Sequence, residues 1–146
     1  MSKIRIFVSF DLDHDGDLCD LLLEQSENAS LGFEVSGRSN ARSVKDVPGK
    51  EVRRRIAQAD GVIVICGEHT EDSPRVSAEL RIAQEEQTPY FLLWGRRERM
   101  CTKPVSAKRH EGMYSWTWEI LRSQILSARR TPTALPPGIV RSTRGA

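Results

Sequence analysis

The sequence predicts an α/β fold, a central parallel sheet of four to five strands with helices on both faces. Two observations predict it. Short apolar runs alternate along the chain with segments whose apolar residues recur at helical spacing. Two of those runs, "GVIVIC" at 61–66 and "YFLLW" at 90–94, are apolar throughout, as strands covered on both sides must be.

The elements follow in order. "KIRIFVSF" alternates Ile4, Ile6, Val8 and Phe10 and reads as a first strand. Gly16 to Glu27, with Leu18, Leu21 and Leu22, reads as a helix, and "LGFEVSG" as a weaker second strand. Lys50 to Ala59 forms a second helix through Val52 and Ile56, leading into the third strand at 61–66. Arg75 to Gln87 carries Val76, Leu80 and Ala83 on one face and precedes the fourth strand at 90–94. A fifth, short edge strand falls within 103–115 or is missing, because the pattern there does not decide. The last helix runs from about Thr117 to Ala128 with Ile120, Leu121, Gln124 and Ile125. Strands alternating with helices in this way call for right-handed crossovers.

At 146 residues the chain suits one domain, 1–128, followed by a tail at 129–146. The net charge of +2 conceals an asymmetry, since Arg129, Arg130, Arg141 and Arg144 face no acid in the tail and leave 18 basic and 20 acidic groups before it. The folded part is therefore not a nucleic-acid binder by composition. The tail is rich in Pro, Thr, Ser and Gly and is expected to stay mobile; docking on a neighbouring subunit through Ile139 and Val140 is the alternative. No stretch approaches the roughly 20 apolar residues of a membrane span, and "MSKIRIFVSF" lacks the apolar core of a signal peptide, so the expected location is the cytoplasm. Cys19, Cys66 and Cys101 are odd in number and widely spaced, which suits reduced thiols rather than a disulfide framework.

In a doubly wound sheet the ligand crevice lies beyond the carboxyl ends of the strands. Those ends are Ser9, Phe10 and Asp11; Gly37 and Arg38; Cys66, Gly67 and Glu68; and Trp94, Gly95 and Arg96. The loop "DLDHDGD" after the first strand opens like a calcium-binding loop. It fails at the twelfth position, where Leu22 replaces the bidentate Glu, and a strand rather than a helix precedes it. Asp13 and Asp15 read instead as turn and capping residues at a helix N-terminus. Contacts to a magnesium ion or to ribose hydroxyls stay open for this loop. Cys66 and His69 have C-x-x-H spacing without a second pair, so no structural metal is predicted. No G-x-G-x-x-G or P-loop motif is present. Trp94, Trp116 and Trp118 read as core and last-helix residues. Arg96, Arg97 and Arg99 after the fourth strand, and Arg38, Arg42 and Lys45 after the second, border the crevice as diphosphate ligands, as solvated surface or as a contact to another subunit.

In "SPRVSAELRIAQEE", Ser73 suits an N-cap and Pro74 the first turn. At about 3.6 residues per turn, Val76, Leu80, Ala83 and Gln87 form one stripe, with Glu79 at its edge and close to the strand ends. A capping role or a pair with Arg75 or Arg81 would equally explain a glutamate there.

Taken together, "IFVSF", "RRRIAQADGVIVICGEHTEDSPRVSAELRIAQEEQTPYFLL" and "WTWEILRSQI" resemble the TIR-like domains of the Thoeris antiphage systems over about residues 3 to 128. The resemblance implies a flavodoxin-like TIR fold that takes NAD as substrate, with no resident cofactor. It implies a catalytic glutamate, matched here by Glu79, that assists cleavage of the nicotinamide–ribose bond. With it go the expected substrate contacts Ser9, Phe10, Asp11, Arg38, Gly67, Ser73, Arg75 and Arg96. Relatives often carry an aromatic residue where this chain has Arg75. The resemblance further implies a cyclic or modified ADP-ribose signal read by a downstream effector, and self-association through TIR surfaces, for which the loop from Arg38 to Pro48 occupies the corresponding place. A non-catalytic TIR-type interaction module and a nucleoside deoxyribosyltransferase-like enzyme are the competing readings. Nicotinamide release against nucleobase exchange separates the two enzymes.

Overall fold

The computed structural model describes residues 3–28, 32–39 and 49–134. Five strands, β1 (Ile4–Ser9), β2 (Phe33–Arg38), β3 (Gly61–Cys66), β4 (Tyr90–Trp94) and β5 (Met113–Ser115), form one sheet in the order β2-β1-β3-β4-β5. All four pairings are parallel. Among the described residues the helices are α1 (Gly16–Asn28), α2 (Lys50–Gln58), α3 (Pro74–Glu85) and α4 (Trp118–Ala134), and a 3-10 turn at Thr70–Asp72 lies ahead of α3.

The chain leaves β1 outward to β2, then crosses back past β1 to β3 and continues to β4. Right-handed crossovers in opposite directions put their helices on opposite faces, so α1 lies on one face and α2 and α3 on the other. The packing follows that rule. Ile4, Ile6 and Val8 of β1, with Ile63, Ile65 and Leu93, pack against Leu18 and Leu22 of α1 and Leu121 and Ile125 of α4. Phe7, Val62, Val64, Cys66 and Leu92 pack on the other face against Val52 and Ile56 of α2 and Val76, Leu80 and Ala83 of α3. Each fully buried Ile, Leu or Phe stabilises the fold by about 1.5–3 kcal/mol before entropy is counted.

Ser73 accepts the Val76 N–H at 3.2 Å, and Pro74 fills the first turn of α3, as the sequence predicts. The helix stops at Glu85, short of Gln87, because Gln87 takes a left-handed φ of 60° while Thr88 N–H returns to the Ala83 carbonyl at 2.9 Å. The edge strand β5 forms within the region where the sequence left it undecided. Its Tyr114 meets Phe91 edge-on, with ring centroids 6.1 Å apart. α4 runs on to Ala134, past the end expected at Ala128: residues 128–130 favour a helical turn, and the helix continues through Pro132, which supplies no N–H for the Ala128 carbonyl, so its last turn lacks that bond. Residues 135–146, most of the expected tail, lie outside the described residues, as do Arg42 and Lys45 of the expected self-assembly loop. Cys19, Cys66 and Cys101 are buried thiols, each without a disulfide. Among the described residues no helix is long and apolar enough to cross a membrane.

Candidate active site

Strand alternation aims Ser9 at the α3 face. It follows Phe7 by two residues, and Phe7 belongs to the layer beneath α2 and α3. Beyond the end of β2 the ladder continues by one bond, Ser39 N–H to the Val8 carbonyl at 3.0 Å, which brings Ser39 beside the end of β1. Both hydroxyls then converge on one atom. Ser9 donates to Oε1 of Glu79 at 2.6 Å and Ser39 to the same oxygen at 2.5 Å, while the Ser39 oxygen accepts the Phe10 N–H at 3.1 Å.

Glu79 lies deeper than its helical position suggests. Instead of bordering the core it is fully buried. Burial pushes its carboxyl up to about 7, although the two hydroxyls and the charge of Arg75, one turn earlier on α3, pull the other way. Oε2 has no hydrogen-bond partner among the described residues. A buried acceptor left in that state costs about 1–3 kcal/mol, and groups of this kind concentrate at functional sites. The carboxyl is sealed in this state, so contact with a substrate requires a local opening.

A second cluster joins the loops after β1, β3 and β4. Asp15, directly before α1, accepts the Leu18 and Cys19 N–H groups through its carbonyl. Its carboxylate does not cap the helix. It turns inward, 1% exposed, and pairs through Oδ1 with Arg96 at 3.1 Å. Gly67 makes room for it, because a Cβ at that position would meet Asp15 Oδ2 at 2.3 Å. Arg96 also binds both carboxylate oxygens of Asp17, at 2.8 and 3.1 Å, and the His14 carbonyl at 3.0 Å. Burial raises the Asp15 carboxyl while Arg96 opposes the rise, and the same guanidinium lowers Asp17.

Where the loops after β1 and β3 meet, the exposed His14 and His69 rings stack with centroids 4.0 Å apart. His14 Nδ1 lies 2.8 Å from Asp11 Oδ2, and this hydrogen bond raises the imidazole's pKa. Asp11 is itself buried, and its other oxygen accepts the Asp13 N–H at 3.0 Å, forming the turn expected of this loop.

The structure thus gathers Ser9, Phe10 through its N–H, Arg75 and Glu79 into one site, with Ser73 at the start of the same helix. Asp11 and Gly67 stand at the neighbouring loops. Arg38 turns away to the α1 side, 3.9 Å from Asp20. Arg96 is held by two carboxylates, which leaves Arg97 and Arg99 as the exposed cations of its loop, with Arg99 3.7 Å from Glu68. Sequence reasoning missed Ser39, the burial of Asp15 and the histidine stack. The register that places Ser39 beside β1 carries no signal in the sequence. The two histidines lie in loops that meet only when β1 and β3 pair.

Comparison with solved structures gives a prokaryotic SEFIR domain, at 18% identity and a TM-score of 0.54, over 94% of this chain and 99% of that one. It also gives the TIR domains of the activated Roq1 resistosome directly recognizing the pathogen effector XopQ, at 15% identity and a TM-score of 0.45, over 62% of this chain and 55% of that one. The chain therefore spans little more than half the length of that TIR chain. At 18% identity the likeness to the SEFIR domain concerns fold alone, and it agrees with the flavodoxin-like strand order. No curated protein matches the sequence. Residues 7–97, more than half of the chain, match the family described as Thoeris protein ThsB, TIR-like domain, and the chain belongs to that family.

Proposed function

We propose that the chain cleaves NAD at the nicotinamide–ribose bond, with Glu79 assisting, and that the product is a cyclic or modified ADP-ribose signal in antiphage defence. The observation that supports this best is the Glu79 carboxyl: buried, held on Oε1 by two hydroxyls and left with an Oε2 that has no partner among the described residues. Nicotinamide departs from NAD as a neutral base, because the bonding electrons neutralise the pyridinium nitrogen, so the leaving group needs no general acid. The ribose C1 becomes oxocarbenium-like, and an ionised carboxylate in a dry site stabilises that charge. Capture of C1 by water gives ADP-ribose and a proton; capture by an adenine nitrogen gives a cyclic product. Copies of the chain self-associate through TIR surfaces in this reading, a downstream effector senses the product, and the cytoplasm is the compartment.

The test is nicotinamide release from NAD, followed by liquid chromatography with mass detection over a wide range of protein concentrations. Wild type is expected to release nicotinamide, with kcat/KM rising with pH through about 7 as Glu79 ionises. Glu79→Gln is expected to lower the rate at least 100-fold, on the order of an essential charged group. Release that survives Glu79→Gln would remove the catalytic assignment. The sealing of Glu79 and the Arg75 in the family's aromatic position favour a second reading, a non-catalytic TIR-type interaction module. No release by wild type, alone or with lysate of phage-infected cells, would establish that reading instead.

A further inference from the structure

The geometry points to Ser39 as a positioning residue that, together with Ser9, pins Oε1 of Glu79 and leaves Oε2 as the oxygen available to substrate once the site opens. The inference rests on the NAD-cleaving reading above for its catalytic meaning, but the grip on Glu79 can be measured without it.

Ser39 is fixed from three sides. Its N–H extends the β1 ladder to the Val8 carbonyl, its oxygen accepts the Phe10 N–H, and the residue is 2% exposed. A serine hydroxyl has one proton to give. With Phe10 N–H occupying one of its lone pairs, that proton is directed at Glu79 Oε1. Ser9 gives its proton to the same oxygen from β1. Two donors on one carboxylate oxygen hold the group against rotation, because turning it would break both bonds. They also favour its ionised form, since each bond is stronger to a carboxylate than to a neutral acid. Glu79 therefore has one oxygen committed to the fold and one that is not.

The charges around Glu79 are few. α3 contributes Arg75, β1 and the end of β2 contribute the two hydroxyls, and no further charged group among the described residues acts on the carboxyl. Loss of one hydroxyl therefore leaves burial opposed by a single hydroxyl and Arg75.

Removing the Ser39 hydroxyl also takes the acceptor from Phe10 N–H, so a simple fall in stability would not distinguish positioning from structure. The discriminating quantity is the ionisation midpoint of Glu79. It is read in two ways: from the pH profile of kcat/KM for NAD, and from the pH dependence of unfolding free energy relative to the same chain carrying Glu79→Gln. Ser39→Ala is expected to move both midpoints up by about one unit, which lowers kcat/KM about tenfold at pH values below the wild-type midpoint. Ser39→Thr, which keeps the hydroxyl, is expected to restore both. Should Ser39→Ala not fold, Ser39→Cys, a weak donor of similar size, is read in the same way.

A stability loss equal at every pH, with the midpoint unmoved, would overturn the assignment and make Ser39 a cap for Phe10 N–H. If wild type releases no nicotinamide at any pH, the NAD-cleaving reading fails and the catalytic meaning of Ser39 fails with it. The stability midpoint would still show whether Ser39 grips Oε1.

Discussion

Glu79 carries a cost that depends on pH. Its carboxyl is raised from 4.5 to about 7 in the folded protein, so the native state holds the proton more tightly than the unfolded chain does. Below about pH 4.5 both states are protonated and the full stability is present; between about 4.5 and 7 the unfolded chain has given up a proton that the native state still holds, so stability falls, and above about 7 both states are ionised and the loss is complete. The shift corresponds to on the order of 3 kcal/mol at most. Glutamine cannot ionise, so Glu79→Gln is expected to stabilise the fold by about 2 kcal/mol at pH 8.5 and to have little effect at pH 5. Urea unfolding at the two pH values checks this, and a variant no more stable than wild type at pH 8.5 would mean that Glu79 does not bear the burial penalty. Half of this site was legible in the sequence. The helical phase of α3 put Glu79 near the strand ends, but its depth comes from Ser9 and Ser39, which reach it across 70 and 40 residues of chain.

At the scale of elements, the strands and helices were legible because each states its period: β3 and β4 in unbroken apolar runs, α3 in its cap and stripe. Their ends were less so, because α3 ends by a left-handed turn at Gln87 that no glycine announces. The contacts between loops were not legible at all. Arg96 comes from beyond β4 and ties down the loop that opens α1, a pairing that exists only after β1, β3 and β4 are side by side. Arg96→Ala would leave the inward carboxylate of Asp15 without its cation. Since Arg96 is 27% exposed, the loss is smaller than for a fully buried pair, about 2 kcal/mol at pH 8. Asp15 is already raised by burial, and Arg96 is what opposes the rise. Without Arg96 its folded pKa climbs further, so the penalty grows as pH rises and shrinks in acid, where Asp15 takes a proton. Urea unfolding at pH 4.5 and pH 8 should therefore show the larger loss at pH 8. An equal loss at both would assign the effect to packing of the arginine stem.

The whole molecule is two apolar layers sharing one sheet. Leu80 of α3 and Leu121 of α4 are both completely buried, on opposite sides. Because β1, β3 and β4 send alternate residues to each layer, neither layer can open without exposing the back of the strands that support the other. That coupling predicts a single cooperative transition rather than the separate melting of two helix pairs. Leu80→Ala and Leu121→Ala are each expected to cost about 2–5 kcal/mol through lost burial and the cavity left behind. With the sheet between them they share no direct contact, so the double variant should lose the sum of the two to within about 0.5 kcal/mol, provided it still folds. Ile→Val at Ile63 and at Ile56 offers the same comparison at about 1 kcal/mol each if the leucine pair proves too severe. Far-ultraviolet circular dichroism reports the helices on both faces, and tryptophan fluorescence reports Trp94 and Trp116, which pack against opposite layers. The two signals should give one midpoint in urea for wild type and for every variant. If Leu121→Ala separated them while Leu80→Ala did not, the layer under α1 and α4 would be a unit that opens independently of the layer that holds Glu79.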